Sequence, residues 1–174
     1  MVNRVLHYGP LVRSGILLGA GMGGFIDGIL FHQILQLHNM MSAKIPVDDL
    51  ASAKTNMVWD GYFHAGVFLL TLIGLVALFR AGTRRDVPWS GRVLSGAWVL
   101  GWGLFNIVEG TVNHLILGTH HLLEYAEPNE QRMAEFVFLG ASALLMLVGW
   151  GMIRSGKSAW VRDGNGAAAQ DQIS

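Results

Sequence analysis

The residues in this sequence best suited to chemistry are carboxylates and histidines that recur together inside apolar stretches. The three pairs are Asp27 with His32, Asp60 with His64, and Glu109 with His114. An ionisable side chain within a lipid bilayer is energetically expensive, so each pair marks a candidate functional site. Neutral imidazole and carboxylate together are suitable ligands for zinc, iron, copper or manganese. The pattern therefore predicts a metal site in which several helices take part.

The polar residues divide into three groups by their expected roles. The predicted metal ligands are His32, His64, His114, Asp60 and Glu109. Residues suited to orienting a ligand by a hydrogen bond, or to relaying a proton, are Asp27, Asn106 and Asn113. Histidines near the outer helix ends, suited to an outer metal site or an entry site, are His38, His120 and His121. This set suffices for one four-coordinate ion or for two ions bridged by a carboxylate, and the expected metal is copper, iron or zinc.

The spacing within the pairs raises a geometric question. Asp60 and His64 share one face of an α-helix, because residues four apart are neighbours there. Asp27 and His32 are five residues apart, as are Glu109 and His114, and five residues correspond to about 140° around a helix. Either the helices bend or bulge at these pairs, or the two members of each pair have different roles. The glycine-rich residues 19–28 favour local distortion, and their GxxxG spacing also predicts close helix contacts.

Four apolar stretches position these residues. The chain is 52% hydrophobic and 14% charged, whereas soluble domains are about 25% charged. A membrane-spanning helix needs about 20 mostly apolar residues, and four such spans are predicted at roughly residues 11–40, 58–79, 93–117 and 134–153. We therefore predict an all-α, integral membrane four-helix bundle over residues 1–162. Residues 163–174, rich in alanine and glycine, are predicted to be a disordered cytoplasmic tail.

The distribution of basic residues predicts the orientation of the bundle. Nine of the twelve lysines and arginines lie in the N-terminal segment, the loop between helices two and three, and the C-terminal segment. The positive-inside rule then places both termini in the cytoplasm and every intramembrane histidine and carboxylate in the outer half of the bundle. We predict a multi-pass protein of the bacterial inner membrane whose site faces the periplasm. The net charge of zero gives no basic surface for nucleic acid.

Three stretches resemble one family. They are GxGGFIDGILFHQILQLHNM from Gly21, DGYFHAG from Asp60, and GWGLFNIVEGTVNHLILGTHH from Gly101. The sequence is similar to an uncharacterised bacterial family of four-helix membrane proteins, domain of unknown function 2243, over nearly all of residues 15–154. The resemblance implies the four-helix membrane fold. It also implies that the protein is encoded near a copper-delivery factor for cytochrome oxidase. A respiratory-chain or copper-delivery partner is therefore expected.

Four functions are compatible with these residues. The first is a metal-dependent membrane oxidoreductase or hydrolase with a mononuclear or dinuclear site. The second is a copper accessory or assembly protein for a respiratory oxidase, in which the outer histidines form a path for metal transfer. The third is a proton-coupled transporter or channel, for which four helices leave little room unless the protein is a homo-oligomer. The fourth is a haem protein with two axial histidines, such as His64 and His114.

Overall fold

The computed structural model describes residues 7–162 and the side chains of residues 7–159. Across these residues the chain is helical and contains no strand. Its elements in order are α1 (Gly9–Ile26), π1 (Asp27–Ile34), α2 (Leu50–Gly82), α3 (Gly91–Glu109), π2 (Gly110–Ile116) and α4 (Pro128–Arg162). The segments π1 and π2 are π-helical continuations of α1 and α3. The tail predicted at residues 163–174 lies outside the described residues.

Four helices are long and apolar enough to cross a membrane. They are Gly9–Ile34, Leu50–Gly82, Gly91–Ile116 and Pro128–Ala159. The predicted all-α class and the four apolar helices are therefore confirmed. The first helix differs from the prediction at its end, because it stops at Ile34 rather than near residue 40. Gln36 adopts a φ of 51°, and this left-handed conformation cannot continue a right-handed helix.

The helices α1 and α3 form the centre of the bundle. They pack against each other, α2 packs on α1, and α4 packs on α3. In the most apolar 18-residue stretch of each central helix, 44% of the residues are buried, compared with 11% in α2 and 17% in α4. The exposed apolar side chains of α2 and α4 are thus available to lipid, whereas the central pair with its π-helical continuations carries Asp27, His32, Glu109 and His114.

Contacts between α1 and α3 reveal an internal repeat. A Cβ atom built on Gly19 would collide with the backbone of Trp98, and one built on Gly101 would collide with the backbone of Ile16. The sequence interval from Gly19 to Gly101 equals the interval from Ile16 to Trp98. Each residue of the first contact therefore has its counterpart in the second contact, and a pseudo-twofold rotation exchanges the two contacts. The first half of the bundle is α1–π1–α2 and the second half is α3–π2–α4. Both halves start at the same end of the bundle, so the pseudo-twofold axis runs along it.

The two central helices also end in equivalent ways. Gln36 (φ 51°) and Gly118 (φ 55°) occupy equivalent positions in the two halves. A side chain in this left-handed region costs about 1 kcal/mol, and glycine avoids that cost. We expect Gly118→Ala to lower the free energy of unfolding by about 1 kcal/mol and Gln36→Gly to raise it. Thermal unfolding of both variants in detergent, followed by tryptophan fluorescence, measures this, and shifts of the same sign would contradict it.

Candidate metal centre

Each π segment brings a carboxylate against the histidine that follows it by five residues. Asp27 Oδ2 lies 3.4 Å from His32 Nε2, and Glu109 Oε1 lies 3.4 Å from His114 Nε2. A π-helix closes its turn between residues five apart, so the 140° separation expected of an α-helix does not apply. The helices therefore bulge at both pairs, which is one of the two outcomes that the spacing allowed.

A second histidine joins each pair from the loop beyond the helix end. His38 Nε2 lies 3.6 Å from Asp27 Oδ1, and His120 Nε2 lies 3.0 Å from Glu109 Oε1. We call Asp27, His32 and His38 the first triad, and Glu109, His114 and His120 the second triad. All six residues are buried, with at most 6% of any of them exposed. Each half of the bundle thus supplies one carboxylate and two imidazoles.

The two triads meet at the pseudo-twofold axis. The rings of His38 and His120 stack with centroids 4.6 Å apart and planes inclined by 12°. His38 Nδ1 donates to the carbonyl oxygen of Leu122 (3.1 Å), and His120 Nδ1 donates to that of Met40 (3.2 Å). Each triad's second histidine is therefore held by the loop of the other half. Burial lowers the pKa of His38, which keeps its imidazole neutral and available as a ligand.

The hydrogen bonds determine which histidine nitrogens can bind a cation. A carbonyl oxygen only accepts, so the proton of His38 and of His120 is on Nδ1 and the lone pair is on Nε2. His32 Nδ1 lies 2.9 Å from Asp60 Oδ1, which assigns the same tautomer to His32. In all three residues the Nε2 lone pair lies next to a carboxylate oxygen of Asp27 or Glu109. With neutral imidazoles, two acceptors face each other at each of these contacts, and a proton or a metal ion between them would satisfy both.

Several buried donor atoms have no hydrogen-bond partner within the described part of the chain. Besides the hydroxyl of Tyr8, which is outside the triads, they are Asp27 Oδ2, Nε2 of His32, Nε2 of His38, and both ring nitrogens of His114. Ligand atoms of His32, His38 and His120 lie within 4.8 Å of one another, as do those of Glu109, His114 and His120. Ligands of a tetrahedral ion with bonds of about 2.1 Å are about 3.4 Å apart, close to the carboxylate–imidazole distances here. Each of these two histidine-containing groups, which share His120, could hold a metal ion.

Asp60 has a different environment from Asp27. Its oxygens accept hydrogen bonds from four groups: His32 Nδ1 (2.9 Å), Gln33 Nε2 (3.0 Å), Asn39 Nδ2 (2.9 Å) and Met40 N (2.8 Å). A carboxylate whose oxygens are engaged in this way orients a ligand histidine. The geometry therefore favours Asp60 as the residue that orients His32 and Asp27 as a ligand, the reverse of the roles expected from sequence.

Glu135 on α4 is a buried carboxylate that sequence reasoning did not include in the site. The sequence interval from Asp60 to Glu135 equals the interval from Gly74 to Gly149. Gly74 packs against Leu18 and Gly149 packs against Leu100, which are equivalent positions in the two halves of the bundle. Glu135 is therefore the counterpart of Asp60. Glu135 Oε1 lies 2.6 Å from His121 Nδ1, and the His121 side chain is 32% exposed. His121 is therefore at the rim of the site and outside both triads.

The structure does not bring His64 into either triad. His64 Nδ1 donates to the carbonyl oxygen of Asp60 one turn earlier (2.8 Å). Its Nε2 lies against Gly28, where a Cβ atom would approach to 2.5 Å. In the second half of the bundle, Leu139 occupies the corresponding position against Gly110. His64 thus has no histidine counterpart, whereas every member of the triads has a counterpart in the other half.

The two asparagines lie at different distances from the triads. Asn113 Nδ2 donates to Glu109 Oε1 (3.3 Å), consistent with the orienting role expected of it. Asn106 is buried one turn before Glu109, and its side chain makes no hydrogen bond to either triad.

Comparison with known proteins identifies the family. Residues 14–156 match the family model described as "Predicted membrane protein (DUF2243)". The chain belongs to this family. No curated protein and no solved structure matches the chain significantly.

The internal repeat is the sequence signal that identifies both triads. Residues 27–38 and 109–120 share one pattern: a carboxylate, a glycine, three residues, a histidine, five residues and a second histidine. Spacing rules for a single helix select His32 and His114 but not His38 and His120, which lie beyond the helix ends. The repeat pairs each histidine with its counterpart and sets His64 apart.

Proposed function

We propose that this protein is an integral membrane metalloprotein whose two triads hold divalent transition-metal ions. The observation that carries the proposal is the set of histidine lone pairs that face carboxylate oxygens at 3.0–3.6 Å. Two buried acceptors at such distances repel each other unless a proton or a metal ion lies between them. Metal ions would satisfy both acceptors and supply the positive charge that the buried carboxylates need.

The donor set favours iron among the candidate metals. Two histidines and one carboxylate with open coordination positions are typical of non-haem iron(II) sites. The sequence has no cysteine, so the soft thiolates that select copper(I) are absent. Iron would supply electron-transfer or oxygen chemistry, and we propose an oxidoreductase role on this basis. Zinc or copper in the purified protein would instead favour a hydrolase or a copper accessory protein.

Burial of the triads favours a resident cofactor over a metal in transit. A protein that hands metal to a partner presents its ligands at the surface, whereas His38 and His120 are fully buried. Only His121, outside the triads, is partly exposed among the outer histidines. The proposed centre therefore remains loaded during turnover.

We propose that the triads face the outer side of the bacterial inner membrane and that both termini are cytoplasmic. The triads lie at the C-terminal ends of the two central helices, and eight of the eleven basic residues among residues 7–162 lie near the helix ends on the opposite side of the bundle. Basic residues concentrate on the cytoplasmic side of membrane proteins.

Elemental analysis of the protein, purified in mild detergent without added metal, tests the proposed function. We expect a transition metal in the wild-type protein, loss of most of that metal in His120→Ala, and no loss in His7→Ala. His7 is an exposed histidine whose backbone contacts Asp86 at the other end of the bundle. Wild-type protein that contains no metal and takes none up after treatment with iron(II), zinc or copper would overturn the proposal.

A further inference from the structure

We infer that the centre is dinuclear and that each triad holds one divalent ion. This inference rests on the proposed function and adds the number and arrangement of the ions. It depends on three features of the described residues: the duplication of the ligand set, the balance of buried charge, and the proximity of the two triads.

The ligand set is complete in each half of the bundle. The first triad consists of a carboxylate and two imidazoles, and the second triad repeats it in the same order and spacing. The four carboxylate–imidazole distances fall between 3.0 and 3.6 Å in both triads. A single ion would leave at least one triad with orphaned donors, because a tetrahedral ion takes only four ligands. Two ions use all six.

The buried charge also favours two ions. Four buried carboxylates surround the site: Asp27, Asp60, Glu109 and Glu135. Every lysine and arginine among residues 7–159 is exposed, so none of them neutralises this cluster. Isolated buried charges are strongly unfavourable. Two divalent ions carry four positive charges and balance the four carboxylates while leaving the ligand histidines neutral.

The triads are close enough for the two ions to be neighbours. His120 of the second triad also lies within 4.8 Å of the ligand atoms of His32 and His38 in the first. The stacked rings of His38 and His120 occupy the space between the triads. In two-metal sites of other proteins the ions are about 3.5–4 Å apart, which fits ligand sets in such contact.

Metal titration of chelator-treated protein in detergent tests this arrangement. We expect two equivalents of iron(II) or zinc to bind the wild-type protein, one equivalent to bind Asp27→Asn, and one to bind Glu109→Gln. These substitutions keep the side-chain volume but remove the charge from one triad. Glu130→Gln, at an exposed position in the first turn of α4, is the matched control and retains two equivalents.

Magnetic coupling provides an independent measurement that needs no variant. Wild-type protein loaded with copper(II) should give an electron paramagnetic resonance signal from a coupled pair, with integrated intensity well below that of the copper bound. One equivalent in the wild type that is lost in both Asp27→Asn and Glu109→Gln would overturn the dinuclear centre and leave the proposed function standing. No binding to the wild-type protein would overturn both.

Discussion

Replacing Asp60 by alanine is expected to lower the free energy of unfolding of the metal-free protein by about 4 kcal/mol. Asp60 is 1% exposed and joins α2 to the loop after π1 through Asn39 and Met40. It also holds His32. Each buried donor left without an acceptor costs about 1–3 kcal/mol, so several such losses account for the expected effect. Thermal or denaturant unfolding in detergent with a chelator present measures it.

Glu135→Ala is the matched control for Asp60→Ala. Glu135 is the equivalent buried carboxylate, but one donor, His121, contacts it instead of four. We therefore expect Glu135→Ala to cost clearly less than Asp60→Ala. Equal losses of stability would mean that the hydrogen bonds of Asp60 do not stabilise the loop.

Metal affinity should fall about 10–100-fold in Asp60→Ala, since His32 loses the group that orients it.

Replacing Gly101 by alanine is the second change with a large expected effect. A Cβ atom on Gly101 would lie 2.7 Å from Ile16 Cα and 2.8 Å from its carbonyl carbon. The obstacle is backbone, which cannot move aside as the end of a flexible side chain can. We expect α1 and α3 to separate locally and the free energy of unfolding to fall by about 3 kcal/mol. Because the triads meet across this helix pair, metal binding should weaken as well.

Gly140→Ala on α4 provides the control for Gly101→Ala. No atom lies within 4 Å of a Cβ built on Gly140. Alanine is favoured over glycine within a helix by about 1 kcal/mol, so this variant should be neutral or more stable. Opposite signs for the two glycine-to-alanine changes in the same unfolding assay are the expected result. A neutral Gly101→Ala would contradict the close approach of the two central helices.

The pseudo-twofold arrangement links stability to the site. His38 and His120 each donate a hydrogen bond to the loop of the opposite half, so neither triad is assembled by its own half alone. The contact between α1 and α3 sets the distance between these loops. Changes at Gly19 or Gly101, remote from the triads along the helices, should therefore affect metal affinity through the position of the loops.

Much of the fold could be predicted from sequence because its causes are local. The low charge content and four long apolar stretches require membrane-spanning helices, whose backbone groups pair within each segment. Carboxylates and histidines within those stretches are rare enough to identify Asp27, His32, Glu109 and His114 as candidates. The prediction that the first helix continues to about residue 40 was wrong, because composition does not reveal the left-handed backbone of Gln36.

The sequence by itself therefore determined the class of fold and the chemical types of the candidate ligands, since both follow from hydropathy and side-chain chemistry. Tertiary structure decided which of these residues meet. The π-helical turns bring residues five apart together, and the loops return His38 and His120 to the carboxylates. Asp60 accepts a hydrogen bond from His32 and does not join either triad, because donors from the loop after π1, distant in sequence, occupy its oxygens. Such contacts depend on the packing of whole helices and loops, which no local spacing rule contains.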